Sequence, residues 1–236
     1  MSQFFAPRVT NQLLSALPVV ERRRVMAASE MVELVFGTTL CERDQALQFA
    51  YFPLRGFISW LAVVDNHPAL EVGMIGNEGM LGCSLLLDVD SAPMNALVQG
   101  AGSALRVPRV AMLQLLTDNP TLTRILHRYM HVVGMQLSQA IACMCFHQIE
   151  ARLARWLLMT HDRAHADHFF LTHQFLADML GVRRSAVTLA AGALQERGLI
   201  HYNRGDIEMI SRHGLLNACC ECYAVQLADH ARYVHC

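Results

Sequence analysis

Residues 172–194 read THQFLADMLGVRRSAVTLAAGAL, a stretch that predicts two short helices joined by a tight turn. Thr172 can cap the first helix, because its hydroxyl can accept a hydrogen bond from a backbone N–H of the first turn. Gly181 stands where the first helix must end, and glycine adopts a positive φ without strain. Apolar residues recur at helical spacing on both sides of this glycine. The pattern is that of a helix-turn-helix motif, with an ordinary helical hairpin as the alternative.

The second predicted helix begins with basic and polar residues. In a helix-turn-helix, this end of the second helix meets base edges in the major groove of DNA. Here it carries Arg184, Ser185 and Thr188 on the outer side, next to Arg183. We therefore predict that Arg184, Ser185 and Thr188 contact DNA bases.

A β-hairpin is predicted directly after the motif. Gly198 ends the second helix, and strands are expected over residues 199–202 and 207–210. Residues 203–206 read NRGD, which are turn residues suited to a hairpin. Two helices followed by a hairpin predict a winged helix, and Arg204 at the hairpin tip is well placed to contact a backbone phosphate.

The N-terminal half shows a different pattern, with short apolar segments between turn signals. After one predicted helix over residues 11–30, strands are expected over 31–36, 47–52, 56–64, 70–75, 94–99 and 103–107. Six or more short strands at this spacing predict a β-sandwich or a jelly-roll barrel.

A long helix is predicted between the two halves, capped by Asp118 or Asn119 and with Pro120 in its first turn. One face carries a seam at three-four spacing, formed by Leu122, Ile125, Tyr129, Val132, Gln136, Ala140 (or Gln139) and Cys143. Such a seam between two domains predicts a dimerisation helix, in which Gln136 would fix the register. The alternative is a helix that packs only on its own barrel.

The charge balance is close to neutral, with a formal net charge of −1 and 19 basic residues that are all arginine. DNA-binding domains are usually basic, but the arginines of the predicted motif lie at its turn and wing, where helix N-termini add positive partial charge.

No apolar run reaches the roughly 18 to 20 residues of a membrane span. Residues 1–8 lack the basic and apolar regions of a signal peptide. These features predict a cytoplasmic protein without a membrane partner.

The 8 cysteines of such a chain are expected to be reduced thiols. Cys219 and Cys222 are predicted to share one face of a C-terminal helix that Ser211 caps. A closed metal site needs about four ligands, so we assign no metal. A redox or metal sensor that uses Cys219, Cys220 and Cys222 stays open as the alternative function. Because the sequence has no phosphate-binding glycine loop, no GxSxG and no HExxH, we predict no enzyme.

The order of β-roll, long helix and winged helix resembles the Crp/Fnr family of bacterial transcription regulators over nearly the whole chain. The motif at 172–194 is the most specific match, and YFPLRG at 51–56 with GMIGNEGMLG at 73–82 looks like the turns of the family's roll. The resemblance implies an α+β fold of three parts. These are an N-terminal β-roll (a double-stranded β-helix or jelly roll) over 1–117, a dimerisation helix over 118–147 and a winged helix over 148–236.

The resemblance also implies a homodimer that binds double-stranded DNA at a near-palindromic site with half-sites about one helical turn apart, and RNA polymerase as a further partner. Arg184 falls where the family places an arginine on guanine, a contact worth about 1–3 kcal/mol of discrimination. Four residues fall near positions that the family uses on phosphate: Thr172, Gln174, Arg183 and Arg204.

The sequence departs from the family's known sensors. Its cAMP-binding members carry a Gly-Glu pair for the ribose and an Arg before Ser or Thr for the phosphate, whereas the corresponding regions here read GMLG at 79–82 and SAPM at 91–94. A buried phosphate without a positive partner is costly, so we expect no cAMP. We also expect no iron–sulfur cluster, because the first cysteine is Cys41, and no haem, because His127 and His131 are predicted to be surface residues. The effector and its pocket are left unassigned.

The recognition helix departs from the family pattern as well. Ser185 stands where many members have Glu, and Leu189 stands where the cAMP type has Arg. Because Glu accepts from cytosine and Arg donates to guanine, whereas Leu can only meet a thymine methyl, the operator is expected to differ from the cAMP-type sequence.

Overall fold

The structure is a computed structural model that describes residues 11–234. Residues 1–10 and 235–236 lie outside this range, and with them the N-terminal segment considered for a signal peptide and the last cysteine, Cys236. The elements follow the chain in this order: α1 (Gln12–Ser15), α2 (Val19–Ala27), β1 (Glu30–Leu34), β2 (Thr39–Cys41), β3 (Phe49–Ala62), β4 (Leu70–Ile75), a 3₁₀ helix (Cys83–Leu87), β5 (Asn95–Pro108), α3 (Arg109–Asp118), α4 (Pro120–Phe146), α5 (Ile149–Ala164), β6 (His168–Phe170), α6 (His173–Leu180), α7 (Arg184–Glu196), β7 (Ile200–Asn203), β8 (Asp206–Met209), α8 (Arg212–Ala218) and α9 (Cys222–Val234).

Two long strands, β3 and β5, form the centre of the N-terminal antiparallel sheet, whose order is β1-β5-β3-β4 with β2 also paired to β5. The sequence predicts two short strands in place of each, which is wrong. The register of β3 against β5 shifts repeatedly between Pro53 and Ile58, and Gly56 has a φ of +74°. A Cβ on Gly56 would lie 2.2 Å from the carbonyl oxygen of Gly100. These glycines therefore mark bulges that bend continuous strands rather than turns that end them.

The N-terminal segment forms two helices instead of the one predicted, because Pro18 stands between them and lacks a backbone N–H for helix continuation. Asn11 caps α1 and is buried. Its side-chain Nδ2 donates to the carbonyl oxygens of Pro53 at 3.1 Å and Gly79 at 2.8 Å. These bonds fix α1 on the sheet.

The long central helix α4 is confirmed, with Pro120 as its first residue. Asn119 occupies the N-cap position, but its Nδ2 donates instead to the Leu115 carbonyl oxygen at 2.8 Å. The cap comes from α2, where Glu21 Oε2 accepts from the Leu122 N–H at 3.0 Å. A carboxylate at this end also suits the positive partial charge of the helix N-terminus.

The winged helix is confirmed, and its sheet has three strands in the order β6-β8-β7. The β7–β8 hairpin turns at Arg204, with a φ of +49°, and Gly205, with a φ of +95°. Two consecutive positive φ values match the type I′ turn that favours two-residue hairpins. The sequence predicts a polar linker over 162–168. Instead, residues 162–164 end α5 and His168 begins β6.

The C-terminal segment forms two helices rather than one. Ser211 caps α8 as predicted, with its Oγ accepting from the Gly214 N–H at 3.1 Å. Helix α8 ends before Cys219, whose ψ of 161° is extended, and α9 begins at Cys222. Cys219 and Cys222 therefore lie on opposite sides of a helix break, and the prediction that they share a helix face is wrong.

The roll and the winged helix pack against each other. Phe57 and Met74 of the roll belong to the same hydrophobic core as the buried residues of the winged helix. A separate core joins the sheet to α1, α3 and α4. Among residues 11–234, no helix is both long enough and apolar enough to cross a bilayer.

Candidate DNA interface

The helix pair α6–α7 has the predicted motif geometry. Thr172 Oγ1 accepts from the Phe175 N–H at 3.1 Å and caps α6, and Gly181 ends this helix with a φ of +63°. Val187, Ala190, Ala191 and Leu194 are buried against the rest of the winged helix. The predicted caps and inner face of the motif are confirmed, so the outer face of α7 is defined.

The N-terminal end of α7 is exposed and basic. Arg183, Arg184 and Ser185 are all exposed. Arg183 occupies the N-cap position without a side-chain cap hydrogen bond, which leaves first-turn N–H groups available to an external acceptor. A helix N-terminus of this kind attracts anions. Leu189 is 76% exposed on the same helix.

Thr188 is exposed but its hydroxyl is engaged within the motif. Its Oγ1 donates to the Arg184 carbonyl oxygen at 3.1 Å and lies 2.9 Å from His173 Nδ1. The His173 ring stacks on Tyr202 of the wing, with centroids 4.1 Å apart. Burial and the charge of Arg184 lower the pKa of His173. Thr188 therefore joins α7 to His173 of α6, and His173 in turn packs on the wing.

The predicted phosphate contacts surround this end of α7. Thr172 and Gln174 are exposed at the start of α6, and Arg204 is exposed at the hairpin tip. The Thr172 hydroxyl accepts in the cap, so its hydrogen is available to an outside acceptor. Gln174 Nε2 donates to Asp178 Oδ1 at 2.8 Å, which uses one of its two amide hydrogens. The structure brings the predicted base and phosphate residues onto one surface, which we call the reading surface: Thr172, Gln174, Arg183, Arg184, Ser185, Thr188 and Arg204.

The winged helix is docked on the roll through two acidic residues of the roll. Glu71 of β4 accepts from Trp156 Nε1 at 2.8 Å and from Ser59 Oγ at 2.6 Å. Arg163 at the end of α5 is buried and pairs with Glu78, with Nη2 2.6 Å from Oε1. We call Glu71, Glu78, Trp156 and Arg163 the docking surface. Sequence reasoning assigned Arg163 to a linker, because its partner lies 85 residues away.

Burial raises the pKa of Glu71 to about 7, although the hydrogen bonds from Ser59 and Trp156 oppose the rise. Loss of hydration disfavours the charged carboxylate, and this cost exceeds the gain from the two donors. The contact between roll and winged helix therefore contains a carboxyl group that titrates near neutral pH.

The predicted dimer seam of α4 faces its own chain. Leu122, Ile125, Tyr129, Val132 and Cys143 are buried in the single chain. Gln136 and Ala140 line a cavity beside Trp156. Because five of these seven side chains are already buried within one chain, this face favours the alternative, in which α4 packs on its own barrel. The three-four spacing was real, but it marked the contact of α4 with its own roll and winged helix.

A second stripe of α4 points outward. It also alternates steps of four and three residues and consists of exposed residues: His127, His131, Gly134, Ser138, Ile141 and Cys145. Ile141 is 61% exposed. Sequence reasoning overlooked this outer stripe because most of its members are small or polar, whereas the inner stripe is strongly apolar.

The structure also brings together four side chains with metal-binding atoms, of which the sequence analysis named only Cys220 and Cys222 as sensor residues. Cys143, His147, Cys220 and Cys222 have their side-chain ligand atoms within 4.8 Å of one another. Cys219 is not among them. Its Sγ lies 3.3 Å from the Leu216 carbonyl oxygen instead, and burial raises the pKa of its thiol. Cys143 was predicted for the dimer seam, and His147 only marked a helix end. No local spacing links them to Cys220, which follows Cys143 by 77 residues.

Comparison with known proteins agrees with this geometry. The family model for the Crp-like helix-turn-helix domain matches residues 151–218. Among curated proteins, none matches this chain in sequence. A Crp/Fnr-family transcriptional regulator from Eubacterium rectale has a similar structure, with a TM-score of 0.68 at 14% identity over 87% of this chain and 96% of that one.

Two further solved structures show the same fold. FixK2 from Bradyrhizobium japonicum has a TM-score of 0.67 at 16% identity, covering 81% of this chain and 98% of its own. A Crp/Fnr-family transcriptional regulator from Thermus thermophilus has a TM-score of 0.64 at 21% identity, covering 80% and 97%. The fold is thus that of Crp/Fnr regulators over most of the chain, as the sequence predicts. The chain therefore carries a Crp-like helix-turn-helix domain at residues 151–218, on a fold that it shares with Crp/Fnr regulators.

Proposed function

We propose that the chain acts as a homodimer that binds a near-palindromic operator and regulates transcription from it. The observation that carries this proposal is the exposed N-terminal end of α7, where Arg183, Arg184 and Ser185 surround uncapped N–H groups. Two such ends, related by a two-fold axis, would enter successive major grooves. RNA polymerase is the further partner that such a regulator requires.

Base recognition is assigned to the outer face of α7. Arg184 is the first residue of this helix, where a guanidinium can donate to both O6 and N7 of a guanine. Ser185 can bond either a donor or an acceptor, and the exposed Leu189 suits a thymine methyl group. Arg183, Arg204, Thr172 and Gln174 would hold the phosphates on both sides, which sets register rather than sequence.

Dimerisation is assigned to the outer stripe of α4. Its alternating spacing of four and three is the spacing of a coiled-coil seam, and Gly134 and Ser138 allow a close approach of two helices. Ile141→Arg places a charge in the centre of this seam and is expected to convert the dimer to a monomer in sedimentation velocity. The control is Val64→Arg, which charges another exposed position, 63% exposed and outside α4. A dimer that survives Ile141→Arg unchanged would refute this assignment.

The roll is proposed to act without cAMP. The segment that would face a cyclic phosphate is closed on itself, with Ser84 Oγ donating to the Ser91 carbonyl oxygen at 3.4 Å and Ala92 buried. Arg106, which could supply positive charge, pairs with Glu30 at 2.7 Å and lies over the Phe49 ring. Arg109, which reaches this segment, is likewise paired, with Asp90 at 3.1 Å, so a phosphate bound there would compete with existing ion pairs. Haem and an iron–sulfur cluster are likewise not part of the proposal.

The test is a selection of binding sites from random double-stranded DNA with the full chain, followed by fluorescence anisotropy on the selected sequence. We expect a two-fold symmetric consensus, two chains per duplex and an affinity that falls steeply with salt. Arg184→Ala should abolish enrichment at one symmetric base pair, whereas the control Arg23→Ala, an exposed arginine on α2, should not. Failure to enrich any sequence would overturn the proposal.

A sensor that uses thiols is the second candidate function. It was predicted on Cys219, Cys220 and Cys222, but the four clustered side chains are a different set. That set carries the inference below.

A further inference from the structure

Four potential metal ligands meet where α4 ends and α9 begins. Cys143 Sγ lies 3.6 Å from Cys220 Sγ, and Cys222 Sγ lies 3.5 Å from His147 Nδ1. The three cysteines are buried, with exposed fractions of 6% or less. Cys143 belongs to the last turn of α4, and His147 directly follows that helix. Cys220 lies in the break between α8 and α9, and Cys222 is the first residue of α9.

We propose that Cys143, His147, Cys220 and Cys222 bind one divalent metal ion of the zinc class. In a tetrahedral zinc site, Zn–S bonds of about 2.3 Å and Zn–N bonds of about 2.0–2.1 Å place ligand sulfurs about 3.8 Å apart and sulfur about 3.6 Å from nitrogen. The two observed distances of 3.6 and 3.5 Å lie close to these values. Three Cys and one His form a complete structural ligand set for zinc.

The groups around these ligands favour the bound form. His147 directs Nδ1 to the cluster, while its Nε2 lies 3.1 Å from Glu221 Oε1. A carboxylate that accepts from the far nitrogen fixes the tautomer that presents Nδ1 to a metal. Gln139 Nε2 donates to Cys222 Sγ at 3.0 Å, a bond that stabilises a thiolate. Arg152 and Arg155 line the same cavity as Cys143 and offset the net negative charge of three thiolates around one divalent ion.

The ligand spacing argues against two other uses of these thiols. An iron–sulfur cluster has several iron atoms between its cysteine ligands, whereas ligand atoms within 4.8 Å of one another enclose a single ion. A disulfide between Cys143 and Cys220 would involve only two of the four side chains. It would not explain why Cys222 and the Glu221-bonded His147 point to the same place. Four convergent ligands are accounted for together only by a metal.

The position of the site gives it a mechanical consequence. His147 and Gln148 are the two residues between α4 and α5, so a metal held by Cys143 and His147 fixes the bend between the central helix and the winged helix. Cys220 and Cys222 attach the end of the winged helix to the same point. This mechanical consequence rests on the proposed function, because the bend between α4 and α5 orients the two α7 helices of the dimer for DNA.

The direct test is metal content and cobalt binding of the full chain, purified reduced and without oxygen. We expect one zinc ion per chain by elemental analysis. After removal, we expect one Co²⁺ per chain with the intense ligand-field bands of tetrahedral coordination and thiolate-to-cobalt charge transfer. A folded, reduced chain that binds no metal stoichiometrically overturns the inference, as does a Cys143–Cys220 disulfide that forms in its place under these conditions.

The variants separate the ligands from nearby thiols. Cys143→Ser and Cys220→Ser should each lower the intensity of the thiolate-to-cobalt bands by about one third and weaken Co²⁺ binding at least about 10-fold, whereas Cys219→Ser and Cys145→Ser should leave the bands and the affinity unchanged. Because a buried serine can unfold the chain, His147→Ala serves as the second ligand variant. Its side chain is partly exposed, at 23%, so circular dichroism should be unchanged while the cobalt spectrum shifts. Equal spectra for His147→Ala and wild type would overturn the assignment of His147.

DNA binding is then measured with and without zinc on the selected operator. A loss of affinity on zinc removal, restored by zinc, supports the hinge consequence. Equal affinity in both states overturns that consequence while the spectra still establish the site. If no operator can be selected, the proposed function fails, but metal stoichiometry and spectra report on the site independently.

Discussion

The reading surface and the docking surface of the winged helix differ in how their polar groups are used. On the reading surface, Arg183, Arg184 and Ser185 are exposed, and α7 begins without a side-chain cap. On the docking surface, Arg163 is buried and both acids have partners within 3 Å. A polar group with an internal partner contributes to the fold, whereas one without is available to a ligand. Substitutions on the two sides should therefore affect different measurements.

The largest expected effect is on the docking surface. Arg163→Met should lower the free energy of unfolding by about 3 kcal/mol or more, because Glu78 is left charged and unpaired in a half-buried position. Urea denaturation measures this loss. The double variant Glu78→Gln with Arg163→Met should lose clearly less than the sum of the single variants. Additive losses would show that the pair contributes nothing as a pair.

The next effect belongs to the reading surface. Arg184→Ala should cost about 1–3 kcal/mol of discrimination at one base pair in each half-site, since a bidentate guanine contact is lost. Its unfolding free energy should stay within about 0.5 kcal/mol of wild type, because the side chain is exposed. Anisotropy on the operator and on single-base variants measures the first quantity. A uniform loss on all sequences would assign Arg184 to phosphate instead.

The docking surface should also respond to pH through Glu71. Its folded pKa of about 7 lies above the ordinary 4.5, so its protonation stabilises the fold. That contribution is complete below pH 4.5 and is lost as pH rises through 7. Glu71→Gln mimics the protonated form and should gain about 1–2 kcal/mol relative to wild type between about pH 5 and about pH 8. A stability difference that is constant across this range would contradict the assignment.

The smallest effect is expected at the wing. Arg204→Ala should weaken binding to all sequences alike and reduce the slope of log affinity against log salt by about 2 for the dimer, because one phosphate contact is lost in each chain. Arg204→Lys keeps the charge and is the matched control. A change in base preference without a change in salt slope would place Arg204 on a base.

The motif, the long central helix and the wing could be predicted because their signals are local. Thr172 as cap, Gly181 with positive φ and the NRGD turn each depend on neighbours a few residues away. The inner stripe of α4 was misassigned because periodicity identifies an apolar face but not what covers it. Glu78 with Arg163 and Cys143 with Cys220 were not predictable as pairs. They are 85 and 77 residues apart, and they meet only because the winged helix packs on the roll and its C-terminal segment packs on α4.

The most direct test of the central claim is the affinity of the full chain for its selected operator, for a scrambled duplex and for a single half-site, measured by anisotropy at several salt concentrations. The account predicts tight binding of two chains to the full operator and much weaker binding to the half-site. Arg184→Ala should lose discrimination at one base pair of each half-site and keep most of the salt dependence. Equal affinity for operator and scrambled duplex at every salt concentration would contradict it.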